Sequence, residues 1–174
     1  MNRQRIFIAI GVFWAVMLAG FILSKESVLR SGQEVLLKTV PVDPRDLFRG
    51  DYVILRYEIS AIDLNSVRSV YESLNDAVGK KVYVALDMEN GRGKAGGLFL
   101  KPPAEGLFIQ GTLKSARDNQ LLVEYGIESY FVPEGKGREI ERHRGKNLDV
   151  VASVDRSGRA AIKALLVDGQ AIRF

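Results

Sequence analysis

The stretch DPRDLFRGDYVILRY, residues 43–57, joins a charged turn to a run of alternating side chains. Asp43 can cap a helical turn, Pro44 suits its first position, and Gly50 supplies the left-handed conformation that ends it. From Asp51 onward the side chains alternate with period two, which is typical of a strand with one buried face. The predicted core-facing set is Val53, Leu55, Tyr57 and Ile59, and the predicted outer set is Tyr52, Ile54, Arg56 and Glu58.

Further short runs with strand character surround this stretch, and β-branched and aromatic residues are frequent in them. The dipeptide Asp168-Gly169 separates two of these runs by two residues and predicts a type I′ hairpin. The predicted strands are Glu34–Val40, Tyr52–Ile59, Lys81–Asp87, Gly96–Lys101, Leu107–Leu113, Leu121–Tyr125, Leu148–Val154, Ala160–Val167 and Ala171–Phe174.

Two segments have a helical pattern. Apolar residues recur on one face of Ser66–Val78, which Gly79 would end, and Glu139–Arg144 is a shorter candidate. The fold class predicted from these patterns is mainly β (α+β): an antiparallel, β-rich domain with one or two short helices.

The run IFIAIGVFWAVMLAGFIL, Ile6–Leu23, contains eighteen residues and no charge. As a helix it would be about 27 Å long, close to the hydrocarbon thickness of a bilayer. A cleaved signal peptide is the alternative, but its apolar region is usually shorter and a small-x-small site follows it. We predict a single-pass signal-anchor at residues 1–24 and an extracytoplasmic domain at residues 25–174.

Basic residues lie on both sides of this span. Arg3 and Arg5 precede it, and Lys25, Arg30 and Lys38 follow it, so counting positive charges does not decide the orientation. Long domains are translocated largely regardless of charge. We expect a cytoplasmic N-terminus and a periplasmic domain on the bacterial inner membrane.

Gly11, Ala15 and Ala19 are spaced four residues apart and therefore share one helix face. Small residues at this spacing allow a second membrane helix to approach closely. The alternative is that glycine and alanine are simply common in membrane spans. The spacing favours a partner within the bilayer, a polytopic membrane protein.

Composition excludes several classes of function. Cysteine is absent, which excludes disulfides, cysteine-ligated zinc and thiol catalysis. The net charge is +4, of which Arg3 and Arg5 supply two, and the sequence has no basic block. It therefore gives no indication of nucleic-acid binding. His143 is the single histidine, so no histidine pair is available for a metal. We expect no cofactor, no metal and no catalytic residue.

Polar residues near the opening stretch have two interpretations. Arg45, Arg49, Asp51 and Tyr52 can clamp the turn or form a recognition surface. The candidate binding set of this stretch also includes Gly50, Leu55 and Tyr57. A second candidate is the PEGKG run, in which glycines beside a lysine can cradle an anion or simply form a tight turn. Its candidate residues are Glu134, Gly135, Lys136 and Gly137.

Residues 50–57, GDYVILRY, match letter for letter the pattern that names the GDYXXLXY protein family. The segments PVDPRDLFR (41–49), YFVPEGKGREIE (Tyr130–Glu141) and GRAAIKALLVDG (158–169) also resemble that family. The resemblance implies a membrane-anchored bacterial protein without an established activity. It further implies a polytopic membrane partner, since members are often found alongside such proteins.

Three functions from different classes follow. The first is a non-catalytic accessory or interaction module for a polytopic membrane protein, and so not an enzyme. The second is a domain that binds an envelope glycan, a lipid headgroup or an anion through Arg45, Asp51, Tyr52 and Lys136. The third is an unrecognised hydrolase, which would require these residues to converge in one cleft with a nucleophile.

Overall fold

One long helix leads into a strand-rich domain. The computed structural model describes residues 3–40, 52–69, 77–131 and 148–172. The helix α1 spans Arg3–Ser31, and a 3₁₀ turn spans Glu58–Ser60. The strands are β1 (Gln33–Lys38), β2 (Tyr52–Ile54), β3 (Ala61–Asp63), β4 (Arg68–Ser69), β5 (Lys81–Glu89), β6 (Arg92–Phe99), β7 (Phe108–Arg117), β8 (Gln120–Glu124), β9 (Ser129–Phe131), β10 (Leu148–Val154), β11 (Ala160–Val167) and β12 (Gln170–Ala171).

Ten strands of the described ranges form one sheet in the order β12-β11-β10-β1-β6-β5-β7-β8-β3, with β4 beside β6. Most neighbouring strands are antiparallel, whereas β1 and β4 each run parallel to β6. The remaining two strands, β2 and β9, pair with each other. The predicted fold class, a mainly antiparallel β-rich domain behind one N-terminal apolar helix, is confirmed.

The alternation predicted for the opening stretch is confirmed, although the strand is shorter than predicted. Val53, Leu55, Tyr57 and Ile59 are each at most 3% exposed and belong to the core. The strand β2 ends at Ile54. Beyond β2, an isolated bridge joins Tyr57 to Thr39, which directly follows β1, and the chain then continues into the 3₁₀ turn. The alternation of buried and exposed side chains therefore continues past the end of β2.

Two tight turns have the backbone conformation that a type I′ hairpin requires, and the one at Asp168-Gly169 is where the sequence predicts it. Asp168 and Gly169 have φ of 49° and 81°, as a type I′ turn requires. Asn90 and Gly91 have the same signs and join β5 directly to β6. For that reason β6 begins at Arg92, four residues before the predicted start.

The helix predicted at Ser66–Val78 is wrong at its start. Ser66 lies in a turn, and Arg68–Ser69 forms β4, which pairs with β6. This pairing with a distant strand overrides the local apolar spacing. Residues 70–76 and the predicted helix Glu139–Arg144 lie outside the described residues. The short strands β3 and β9 were not predicted.

Candidate functional site

The helix α1 and the sheet are joined without a break. The helix continues for eight residues past Leu23, and this extension packs on β10 and β11. Val28 is 3% exposed, and its carbonyl accepts a hydrogen bond from Ser153 Oγ at 2.7 Å. The same carbonyl accepts one from Gly32 N at 3.2 Å. The predicted domain boundary at residues 24/25 therefore falls inside α1.

The strand β10 explains why the helix packs there. Its residues at alternate positions, Val150, Ala152 and Val154, face the core, whereas the opposite face carries Ser153, which is also fully buried. A strand buried on both faces needs a covering element on each side. At Ser153 the end of α1 provides that cover. The run LDVVASV carried this signal, but its second covering element could not be identified from the sequence.

The turn between β10 and β11 lies beside the helix as well. Asp155 Oδ1 accepts hydrogen bonds from the backbone N–H groups of Ser157 and Arg159. Arg159 pairs with the Asp155 carboxylate at 2.7 Å and reaches Ser24 Oγ with Nη1 at 3.1 Å. Partial burial acts to raise the pKa of Asp155, but these hydrogen bonds outweigh it and leave the pKa below its usual range.

Gly158 completes this turn and connects it to β7. Its φ is +83°, a conformation that favours glycine. A Cβ atom there would lie 2.8 Å from the Phe108 ring. Its carbonyl accepts a hydrogen bond from Gln110 N at 2.7 Å. The turn is therefore held against both α1 and the start of β7.

A groove of about 720 Å³ opens between the end of α1, the β6–β7 connection and this turn. Its lining mixes apolar and polar side chains and includes one cation, Arg156. Among the described residues, no group of three or more histidine, cysteine, aspartate or glutamate side chains is arranged to hold a metal. The lining residues are Ser31, Gln33, Leu86, Met88, Pro102, Pro103, Ala104, Glu105, Gly106, Leu107, Phe108, Val154, Asp155 and Arg156.

The second tyrosine of the opening stretch takes part in a reciprocal clamp. Tyr57 is fully buried and its hydroxyl donates to the carbonyl of Ile127 at 2.5 Å. Tyr125 donates in return to the carbonyl of Ile59 at 2.5 Å. Two segments almost 70 residues apart are thereby joined through buried hydrogen bonds.

The environment of the clamp keeps both hydroxyls protonated. Burial raises the pKa of Tyr57 and of Tyr125 well above the usual range, and the nearby charge of Glu128 raises both further. A phenol that does not ionise and whose proton is held by a carbonyl is a structural donor. Leu55 is also buried, and its N–H donates to the carbonyl of Glu128 at 2.7 Å. Leu55 and Tyr57 therefore have structural positions.

The other predicted recognition residues are placed only in part. Tyr52 begins β2 opposite Phe131 of β9, so the chain enters β2 and leaves β9 at the same end of this pair. The candidates Arg45, Arg49, Gly50, Asp51, Glu134, Gly135, Lys136 and Gly137, and also His143, lie outside the described residues.

The apolar part of α1 has no protein cover within the described residues. Its side chains from Ile6 to Leu23 are exposed around the whole circumference, and nothing lies within 4 Å of a Cβ placed on Gly11. By length and composition the helix is a candidate membrane span, which suggests membrane anchoring. Ala15 and Ala19 are exposed like Gly11, and their pairing with a second helix stays a prediction.

The comparisons with known proteins support the resemblance read from the motif. The chain matches the family model described as GDYXXLXY protein over residues 14–165. No curated protein and no solved structure matches the chain. The family match begins inside the apolar helix and ends in β11, so it includes the motif, the tyrosine clamp and the helix–sheet junction. The chain therefore belongs to the GDYXXLXY protein family.

Proposed function

We propose that this protein is a membrane-anchored, non-catalytic interaction module that serves a polytopic membrane protein. The observation that carries the proposal is the junction, where α1 passes from its apolar span into the domain and Val28 and Ser153 tie it to the sheet. Without a flexible linker, the domain has little freedom to move away from the bilayer. Its groove beside Ser31 and Arg156 stays within reach of loops on a neighbouring membrane protein.

The two motif side chains that the structure describes, Leu55 and Tyr57, favour a structural role over catalysis. General acid–base catalysis needs a group that can exchange its proton near the working pH. Tyr57 is buried, protonated and hydrogen-bonded to a backbone carbonyl, so it is unsuited to this role. The side chain of Leu55 packs in the apolar core. The leucine and the second tyrosine of the motif thus belong to the core.

Photo-crosslinking from the groove tests the interaction role. A benzoylphenylalanine at Met88, a groove residue that is 39% exposed, should crosslink a multispanning membrane protein identified by mass spectrometry. The matched control is Leu122, which is 37% exposed and lies outside the groove. Equal yields of the crosslinked membrane protein from both positions, or a crosslinked product with lipid alone, would contradict a partner at the groove.

Co-purification in mild detergent tests the part of the interaction within the bilayer. Gly11→Leu together with Ala15→Leu should disrupt a helix–helix contact, because closely packed membrane helices need small residues between them. The control pair is Val12→Leu with Val16→Leu, which keeps the spacing and leaves the small residues intact. A complex that survives Gly11→Leu with Ala15→Leu refutes close helix packing on this face.

We also propose a cytoplasmic N-terminus and a periplasmic domain on the bacterial inner membrane. Translocation of a long domain after a single span, largely independent of flanking charge, supports this orientation. Because the chain has no cysteine, Ala171→Cys creates a unique label site on the exposed strand β12. A membrane-impermeant maleimide should label it in intact spheroplasts. Labelling that requires lysis would reverse the orientation.

A further inference from the structure

The β10–β11 turn is fixed at the point where the apolar span of α1 ends. Arg159 Nη1 lies 3.1 Å from Ser24 Oγ, and Ser24 directly follows Leu23, the last residue of the apolar run. The headgroup layer of a bilayer begins where the hydrocarbon core ends. When Ile6–Leu23 occupies that core, the turn is therefore held at the level of the lipid headgroups.

Basic side chains dominate this region. Residues 24–31 and 155–159 contain four basic and two acidic side chains. Both acids are already paired inside the cluster, Glu26 with Arg30 at 2.7 Å and Asp155 with Arg159 at 2.7 Å. The remaining two cations are exposed and have no ion pair with any residue that the structure describes. These two cations are Lys25 and Arg156.

We propose that Lys25 and Arg156 bind the phosphates of anionic phospholipids and thereby set the tilt of the domain on the bilayer. A guanidinium presents its N–H groups in a fork that matches phosphate oxygens, and an ammonium adds a compact charge. Because the turn is tied to α1 by Arg159 and to β7 by Gly158, a lipid held at Arg156 constrains the whole sheet. The inference depends on insertion of α1 and is independent of any protein partner.

The absence of cysteine allows a direct test with one fluorophore on the full chain. Ala104→Cys puts the label on the exposed β6–β7 connection that lines the same groove as Arg156. The control label is Ala171→Cys on β12, near the far end of β11, about 26 Å along that strand from the turn. Full chains are placed in nanodiscs containing a nitroxide-headgroup lipid, in phosphatidylcholine alone or with phosphatidylglycerol. Quenching of the fluorophore then measures its proximity to the headgroups.

We expect phosphatidylglycerol to increase quenching at the Ala104 label and to leave the Ala171 label unchanged. Lys25→Gln with Arg156→Gln should abolish that increase, and high salt should reduce it because it screens exposed charges. The matched control is Lys114→Gln with Arg117→Gln, which also removes one lysine and one arginine charge, but towards the other end of β7. This pair should preserve the increase in quenching that phosphatidylglycerol causes.

The outcomes separate the lipid contact from the anchor. Failure of the native chain to enter nanodiscs would overturn both membrane anchoring and this inference. Incorporation with equal quenching in the two lipid mixtures would overturn the lipid contact alone. An increase that persists in Lys25→Gln with Arg156→Gln, or that is lost equally in the control pair, would overturn the assignment to these two residues.

Discussion

Gly32 is the residue on which the rigid connection between α1 and the sheet depends most directly. It follows the last helical residue, and a Cβ atom placed on it would lie 2.3 Å from Ser153 Oγ. The same atom would lie 2.7 Å from the carbonyl oxygen of Val28 and 2.9 Å from Val154 N. Two of these three contacts are with backbone atoms, so a change of rotamer cannot relieve them. Gly32→Ala should force α1 away from β10.

The expected cost follows from two opposing terms. Overpacking a tightly filled site costs about 1–3 kcal/mol, and replacing glycine returns about 0.4–1 kcal/mol because the unfolded chain loses entropy. We expect a net loss of about 1–2 kcal/mol for Gly32→Ala, which lowers Tm by about 2–4 °C for each kcal/mol in a chain of this size. Gly20→Ala is the matched control, since nothing lies within 4 Å of its added Cβ.

Thermal unfolding of the full chain in detergent, followed by circular dichroism, measures the stability of both variants. Hydrogen–deuterium exchange then shows where the change occurs. In Gly32→Ala, exchange should increase at the end of α1 and the start of β1, because the hydrogen bonds to the carbonyl of Val28 are strained or lost. Equal Tm values for Gly32→Ala and Gly20→Ala, with unchanged exchange around Val28, would refute the close approach and the rigid mounting derived from it.

Three further predictions concern buried and partly buried polar groups. Tyr57→Phe and Tyr125→Phe should each lower the unfolding free energy by about 1–3 kcal/mol, because each leaves a buried carbonyl without its hydrogen bond. Urea titration measures this change, and an unchanged urea midpoint would exclude the clamp. Arg92→Gln should lower the unfolding free energy by about 2–3 kcal/mol, because the buried Asp149 carboxylate loses its cation. The loss is smaller than for a fully buried ion pair because Arg92 is half-exposed. A decrease in unfolding free energy no larger than that of a surface ion pair would contradict this. The lowered pKa of Asp155 means that its stabilisation is fully present above about pH 4 and is lost as the pH falls through the folded-state pKa. Asp155→Asn should therefore flatten the acid limb of the Tm-versus-pH curve, and an unaltered limb would rule out this contribution.

The local features of the fold follow from residues close together in the chain. Eighteen uncharged residues from Ile6 predict the apolar helix, because helix length and hydrophobicity are properties of one segment. The period-two pattern predicts the buried set from Val53 to Ile59. Asp168-Gly169 predicts its hairpin, because positive φ at both positions depends on these residues alone. The motif at residues 50–57, with the three further segments that resemble the family, predicts the family.

Contacts between distant segments were decided only by the tertiary structure. The carbonyl of Ile127 accepts the hydrogen bond from Tyr57 although 70 residues separate them, and no local pattern specifies that partner. The helical spacing after Ser66 gave way to β4 because β6 offered a strand to pair with. The end of α1 docks on Ser153 because β10 is buried on both faces and its second face needed cover. Periodicity shows which face of a segment is buried, but the partner for that face depends on the surfaces that the rest of the fold leaves open.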